Sequence, residues 1–346
     1  TPWYNMPFAY EVTGELNIAA LRDAFVQVIQ RHASLRTQIK QLDGQALQCI
    51  IKEKEVGFIL SFVGLSDEEE PTKKLKTQSR LKYQLETPFD LANQLPIRAE
   101  LIQINKNEHI LLICLHHIVS DGWSMEIFFR ELAFYYAAYK HNSLDTLPQV
   151  TYQYIDFAQW QQQYLNEDQF KQQLAYWQHL KGAPSLLNLP TDRTRQSTFS
   201  YQGASYTIKT DKALLHKLKY IANQHHTTLF TVLLAAYYAY LYRYTNQEVL
   251  VVGTPTANRH YPHVENIIGF FVNTLALRAD CRATLTFSEL IEQVKQRVLS
   301  GFEHQDVYLD QIIEVLGIER SLTYDPIFQT VFTLQTTNEL VLELDG

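Results

Sequence analysis

The run His109-Ile110-Leu111-Leu112-Ile113-Cys114-Leu115 is of strand length, nearly continuous in apolar residues, and stops at a polar loop, His116-His117-Ile118-Val119-Ser120-Asp121-Gly122-Trp123-Ser124. An apolar run without alternation suits a strand covered on both faces, so this chain needs packing layers on each side of a sheet. Beyond the loop, Gly122 breaks the pattern. Ser124 is placed to cap a helix whose apolar positions Met125, Ile127, Phe128, Leu132, Phe134 and Tyr135 continue to about Ala138. Strand, loop and helix in that order put the loop at a strand's C-terminal end, where open sheets tend to keep their chemistry.

Neighbouring side chains on an extended backbone point to opposite sides, so only one of the two histidines is expected to face a substrate. A neutral imidazole accepts or donates a proton near pH 7 and is well matched to general-base work there. Asp121 can hydrogen-bond a ring nitrogen or pin the loop to a distant arginine. Gly122 is expected to turn with positive φ and to allow close approach of a ligand. The plain alternative is a pair of core histidines with satisfied nitrogens. The spacing argues against it, since His-His-x-x-x-Asp-Gly arises by chance in on the order of one chain in a thousand of this composition. The second pair, His225-His226, has no Asp-Gly behind it and reads as a solvated connector. A zinc site fits poorly, because adjacent strand histidines diverge and no His or Cys follows at ligand spacing.

His116 to Ser124 resembles the HHxxxDG core of nonribosomal peptide synthetase condensation domains, in the wider superfamily of chloramphenicol acetyltransferase. Other elements follow in that family's order. Arg31-His32-Ala33-Ser34-Leu35-Arg36-Thr37 resembles RHExLRT, with Ala33 in place of Glu. Tyr154 to Trp160 resembles YxDFAxW, and Gly269-Phe270-Phe271-Val272-Asn273-Thr274, trailed by Arg278, resembles GxFVNT. His304-Gln305-Asp306 keeps the start of HQDxPFE, and Arg320 to Pro326 follows RDxSRNPL in part. The family's opening SxAQxRLW element is expected upstream of Thr1.

The resemblance implies an α/β (α+β) fold of two chloramphenicol acetyltransferase-like lobes, each a mixed sheet with flanking helices, in a V-shaped pseudo-dimer. The expected lobes are 1–180, carrying HHxxxDG, and 181–346. His117 is assigned by resemblance as base or positioning group. His116 is expected to be structural, and Gly122 belongs to the same site. Asp121 is expected in a buried ion pair, with Arg36 the first candidate partner and Arg278 the second. Asp121 as a direct acid is disfavoured, because a carboxylate beside an arginine stays ionised. Trp123 either packs on the loop or is a plain core residue, and Asn273 either faces the site or caps backbone groups. Tyr154, Asp156 and Trp160 are expected to pack rather than to catalyse.

The implied reaction is amide formation between a donor thioester and an acceptor α-amine. The substrates would be carried on 4'-phosphopantetheine arms of donor and acceptor peptidyl carrier proteins beside an adenylation domain, with no cofactor bound by the domain itself. The Ser-Asp-Gly-Trp-Ser and Gly-Phe-Phe-Val-Asn-Thr spellings resemble the subtype joining an L-donor to an L-acceptor. A coenzyme A-dependent acyltransferase shares HHxxxDG but usually carries a DFGWG element, which is missing. A non-catalytic docking module tends to lose the second histidine, and His117 is intact.

Composition agrees. A chain of 346 residues with 46% apolar content can bury one large core or two smaller ones. Its net charge of -7 disfavours nucleic acid as a general partner. Cys49, Cys114 and Cys281 lie at no motif spacing and read as reduced packing residues, which suggests a cytoplasmic setting. No signal peptide is recognised at Thr1-Pro2-Trp3-Tyr4, and Leu229 to Tyr242 reads as a buried helix too short to span a bilayer.

Along the chain, Asn17 is expected to cap a helix bearing Ile18, Leu21, Phe25, Val28 and Ile29, with a strand at Leu35 to Ile39 and a hairpin at Asp43-Gly44. Pro184, Pro190, Ser197, Ser200 and Gly203 mark a crossover between lobes. Expected beyond it are strands over 205–209, 249–253, 271–279 and 327–334, and helices over 212–224, 228–244 and 287–302.

Overall fold

The computed structural model describes residues 2–143, 145–183, 186–193, 203–321, 323–335 and 342–344. The chain divides into two compact units. The first comprises 1–162, 259–271 and 337–346; the second comprises 163–258 and 272–336.

In the first unit a four-stranded sheet runs in the order β1 (Asn5–Thr13), β6 (Glu108–His116), β5 (Ile97–Asn105), β4 (Leu60–Gly64). Strands β1, β6 and β5 are antiparallel, and β4 joins β5 in parallel. The sheet is covered on both faces, as the apolar run of β6 requires. Leu111, Ile113 and Leu115 pack into the main core with α1 (Ile18–Arg31) and α3 (Gly122–Lys140). Leu112 and Ile110 point the other way, toward Leu81 of α2 (Glu70–Glu86). Asn17 caps α1 by accepting from the Ala20 amide. β2 (Thr37–Leu42) and β3 (Gln45–Ile50) form the expected hairpin through Asp43 and Gly44, both with positive φ, as a two-residue turn of this twist needs. The strand expected from Leu35 begins later, because Ala33–Arg36 winds into a 3-10 turn.

The helix α4 (Tyr154–Tyr164) leads out of the first unit, and α5 (Asp168–Tyr176) lies in the second. There Phe170, Trp177 and Leu180 join the core built on α7 (Leu229–Thr245), β7 (Val249–Thr256), β8 (Asn273–Asp280), α8 (Phe287–Glu303) and α9 (Leu309–Leu316). Residues 163–180, grouped with the first lobe from sequence, therefore pack in the second unit. The indole of Trp177 donates to the His304 carbonyl, which ties that segment to the end of α8.

α6 (Lys212–Gln224) is capped by Asp211, α7 by Thr228, and α8 by a reciprocal Thr286–Glu289 capping box. β7 and β8 pair antiparallel. The strand expected over 327–334 is reduced to a parallel bridge of Val331 with Gly253, and 205–209 has no regular pairing among the described residues. Tyr206 and Ile208 there are exposed, so this stretch has no buried face to hold it as a strand. Pro184, Ser197 and Ser200 of the expected crossover lie outside the described residues. His225 and His226 form the connector after α6. No helix among the described residues is long and apolar enough to cross a membrane.

Candidate active site

His116 is the last residue of β6 and His117 the first of the following turn, and the two rings meet different neighbours. The His116 ring is buried between Tyr4 and Phe89, and its Nδ1 accepts from the Ile118 amide at 3.1 Å. Burial, reinforced by the adjacent His117, pushes this imidazole below its ordinary pKa. The ring is thus buried and occupied with its own loop. His117 donates its backbone N–H to the Tyr4 carbonyl, and its half-buried ring meets Phe270 edge to face at 5.2 Å. Its Nδ1 is buried without a hydrogen-bond partner among the described residues.

Asp121 is fully buried and is the N-cap of α3, accepting from the Ser124 amide at 2.8 Å. The cap is thus Asp121, not Ser124, whose hydroxyl instead lies 2.7 Å from Asp121 Oδ1 and 2.8 Å from the Gly269 carbonyl. One hydroxyl proton serves one of these acceptors at a time. Gly122 is the first helical residue and does not take positive φ, so the expected left-handed turn is absent.

The ion pair of Asp121 is made with Arg259, correcting both candidates from sequence. Arg259 Nη2 lies 3.0 Å from Asp121 Oδ1 and 2.8 Å from Ser124 Oγ, while Nη1 donates to the carbonyls of Val264 and Ile267. The guanidinium also lies 4.1 Å from the Phe271 ring centre, and the Phe271 amide donates to Asp121 Oδ2. Burial lowers the Arg259 pKa, and Asp121 opposes that shift. With both carboxylate oxygens occupied and no solvent access, Asp121 is a loop anchor.

Arg36 is committed elsewhere. Its guanidinium donates to the carbonyls of Gln30 and Ile51 and to Glu53, clamping the end of α1 to β3. Arg278 pairs with Asp280 and donates to the His179 carbonyl. Asn273 caps backbone groups, donating to the carbonyls of Gln305 and Val307 in the turn between α8 and α9. Trp123 is half exposed and donates its indole N–H to the Glu265 carbonyl.

Two further residues carry structure that the motif did not reveal. Glu131 binds buried His32 at 2.7 Å and Arg31 at 3.1 Å. Burial opposes its ionisation, yet these two partners hold its pKa below the ordinary carboxylate value. Its signal was available, because Glu131 falls on the apolar face of α3 with Phe128 and Tyr135, where a carboxylate needs a partner. Tyr154 donates to the Phe270 carbonyl at 2.8 Å, and its ring lies where a Cβ on residue 269 would sit. The YxDF and GxFVN elements therefore interlock through Gly269. Cys114 and Cys281 are free thiols pushed up to about 11 by burial, which removes them as nucleophiles. No group of three or more metal-ligating side chains occurs among the described residues.

The family model for the condensation domain matches residues 1–343. This chain belongs to the condensation-domain family. It is 40% identical over 344 residues to a linear gramicidin synthase of Brevibacillus parabrevis, and 36% identical over 344 residues to bacitracin synthase 3 of Bacillus licheniformis. Each match covers 99% of this chain but only 4% and 5% of those relatives. Among solved structures, the X-domain from teicoplanin biosynthesis superposes with a TM-score of 0.85 at 28% identity, covering 95% of this chain and 72% of that one. The condensation domain of the Monacolin K polyketide synthase MokA shares the fold, with a TM-score of 0.81 at 23% identity over 95% of this chain and 76% of that one.

Proposed function

We propose that this condensation domain forms amide bonds within a nonribosomal peptide synthetase, by attack of an acceptor aminoacyl amine on a donor acyl or peptidyl thioester. Both substrates would arrive on 4'-phosphopantetheine arms of carrier proteins next to an adenylation domain. The preferred subtype joins an L-configured donor to an L-acceptor, on the spelling of the loop and of Gly269 to Thr274. A cytoplasmic location follows from that assembly.

The observation that carries the reading is the division of labour in the loop. Asp121, Ser124 and the Nη atoms of Arg259 bond to one another and to the backbone, and His116 binds the Ile118 amide. His117 is left as the titratable side chain of the motif that is not consumed by structure.

A thioester is already activated, so the chemistry needs no covalent enzyme intermediate. The acceptor amine, with a reference pKa of about 7.7 to 8.0, is mostly protonated at neutral pH and attacks only as the free base. Its nitrogen bonds to the thioester carbon, the carbon–sulfur bond breaks, and the departing thiolate takes up a proton. His117 handles the amine proton, either taking it as general base, a step typically worth about 10² to 10⁴ in rate, or holding the amine by hydrogen bond. Tethering on two carriers supplies the effective concentration.

The test supplies loaded donor and acceptor carriers to the domain and reads condensed product on the acceptor by intact-protein mass spectrometry. His117→Ala is expected to slow product formation by about 10²-fold or more while leaving a measurable residual rate, and equal product from that variant would overturn the catalytic assignment. Transfer from an acyl coenzyme A to a free amine without carriers would favour the acyltransferase reading. The X-domain relative is also known in a complex with OxyB from teicoplanin biosynthesis. A docking role here would instead show as carrier binding with no product.

A further inference from the structure

Histidines that move protons are commonly oriented by a carboxylate or carbonyl on the second ring nitrogen. His117 has no such partner among the described residues. Its Nδ1 is buried and unpaired, and Asp121 is spent on Arg259, Ser124 and the Phe271 amide. What its ring meets is Phe270, perpendicular at 5.2 Å and 88°.

The backbone around Phe270 is held on both sides, while its ring is partly exposed. Its carbonyl accepts from Tyr154 Oη at 2.8 Å. On one side, Gly269 donates its amide to Ser124 Oγ and leaves no room between its backbone and the Tyr154 ring. On the other, the Phe271 amide is bonded to Asp121 at 3.0 Å. The segment 269–271 is thereby fastened to the N-terminus of α3 and to α4, and its middle residue lies against the histidine.

Resting on the reading of His117 given above, we propose that Phe270 is the positioning residue for His117, with edge-to-face packing doing the orienting that a carboxylate does elsewhere. Perpendicular aromatic contacts at this centroid separation are a preferred geometry. Phe270 fixes the imidazole plane and leaves Nδ1 buried, so that the opposite nitrogen, Nε2, is the one turned to the amine. A small displacement of a reacting group costs up to about 10²-fold in rate, which sets the size of the effect.

The experiment is a double-mutant cycle on the carrier-loaded condensation assay, using Phe270→Leu, His117→Ala and the pair. Phe270→Leu is expected to lower kcat by about 10- to 100-fold with KM for the loaded carriers little changed. Phe270→Tyr, which keeps the ring, should restore most of the rate. In the His117→Ala background, adding Phe270→Leu should cost nothing further, because its effect passes through the histidine. Equal fold losses in both backgrounds would overturn the proposal, as would a wild-type kcat for Phe270→Leu. ¹⁵N NMR of labelled histidine supplies a readout that needs no turnover. The His117 ring signals should shift and broaden in Phe270→Leu, as expected for an imidazole that has lost its fixed plane, and an unchanged spectrum would count against the proposal. If His117→Ala retains full activity, the functional reading fails, whereas loss in His117→Ala with none in Phe270→Leu removes only this inference.

Discussion

Asp121 and Arg259 stand 138 residues apart in the chain and meet at 3.0 Å with their side chains almost entirely withdrawn from solvent. The pair fastens the loop after β6 to the segment 259–271, whose carbonyls at Val264 and Ile267 take the remaining face of the guanidinium. Breaking such a buried pair by removing one partner leaves an uncompensated charge. Asp121→Ala is therefore expected to destabilise the domain by about 3–5 kcal/mol. Asp121→Asn keeps an acceptor for the Ser124 amide but turns an NH₂ toward a donor, and should lie in between. Urea unfolding followed by circular dichroism measures both, and a change under about 1 kcal/mol for Asp121→Ala would contradict the anchor role.

The fit of Tyr154 over Gly269 makes a second prediction. Gly269 does not take positive φ, so the backbone tolerates alanine, and the three atoms nearest an added Cβ all belong to the Tyr154 ring. Gly269→Ala should cost about 1–3 kcal/mol through overpacking. In a Tyr154→Ala background the same substitution should cost well under about 1 kcal/mol, because the space has been vacated. Thermal melts of the four proteins test it, and additive losses would show that something other than the ring resists the methyl.

The local half of this site was legible in the sequence. An apolar run too continuous for a one-sided strand did become β6, covered on both faces, and the apolar positions after Ser124 did become α3. The two histidines do meet different neighbours, but His117 lies in the turn beyond β6, so alternation along the strand is not the reason. The identity of the Asp121 partner was not legible, because a charge pair across 138 residues leaves no spacing to read. Arg36 was a reasonable candidate by resemblance, but carbonyls at Gln30 and Ile51 claim it. Ser124 and Asp121 both suit a helix cap, and the choice between them depends on where the first helical turn begins. The second unit was read least well at 205–209, which has no regular pairing among the described residues, and at 327–334, where pairing is limited to the bridge of Val331 with Gly253.

Gly122 is where the motif invited the strongest misreading. A Cβ at this position would meet nothing within 4 Å, and the residue is helical. Gly122→Ala should therefore fold normally, with a stability unchanged or raised by up to about 1 kcal/mol through loss of unfolded-state freedom. Any drop in condensation by this variant would then report on approach of the substrate to the loop. Differential scanning fluorimetry beside the carrier assay separates the two, and a clear fall in Tm would mean that the glycine is needed for the fold.

His116 makes stability depend on pH in a definite direction. Burial, then the neighbouring His117, depresses its pKa in the folded state, and its Nδ1 must stay unprotonated to accept from Ile118. The unfolded chain binds the proton more readily, at about pH 6.5. Stability is therefore fully present above that value and is lost as pH falls through it toward the depressed folded value. His109 and His179, also lowered mainly by burial, act with the same sign. Urea midpoints measured from pH 8 to pH 5 should fall on acidification, and His116→Asn, which keeps an acceptor but cannot be protonated there, should flatten part of that fall. If the variant and the parent lose stability in parallel across this range, His116 is not the group responsible.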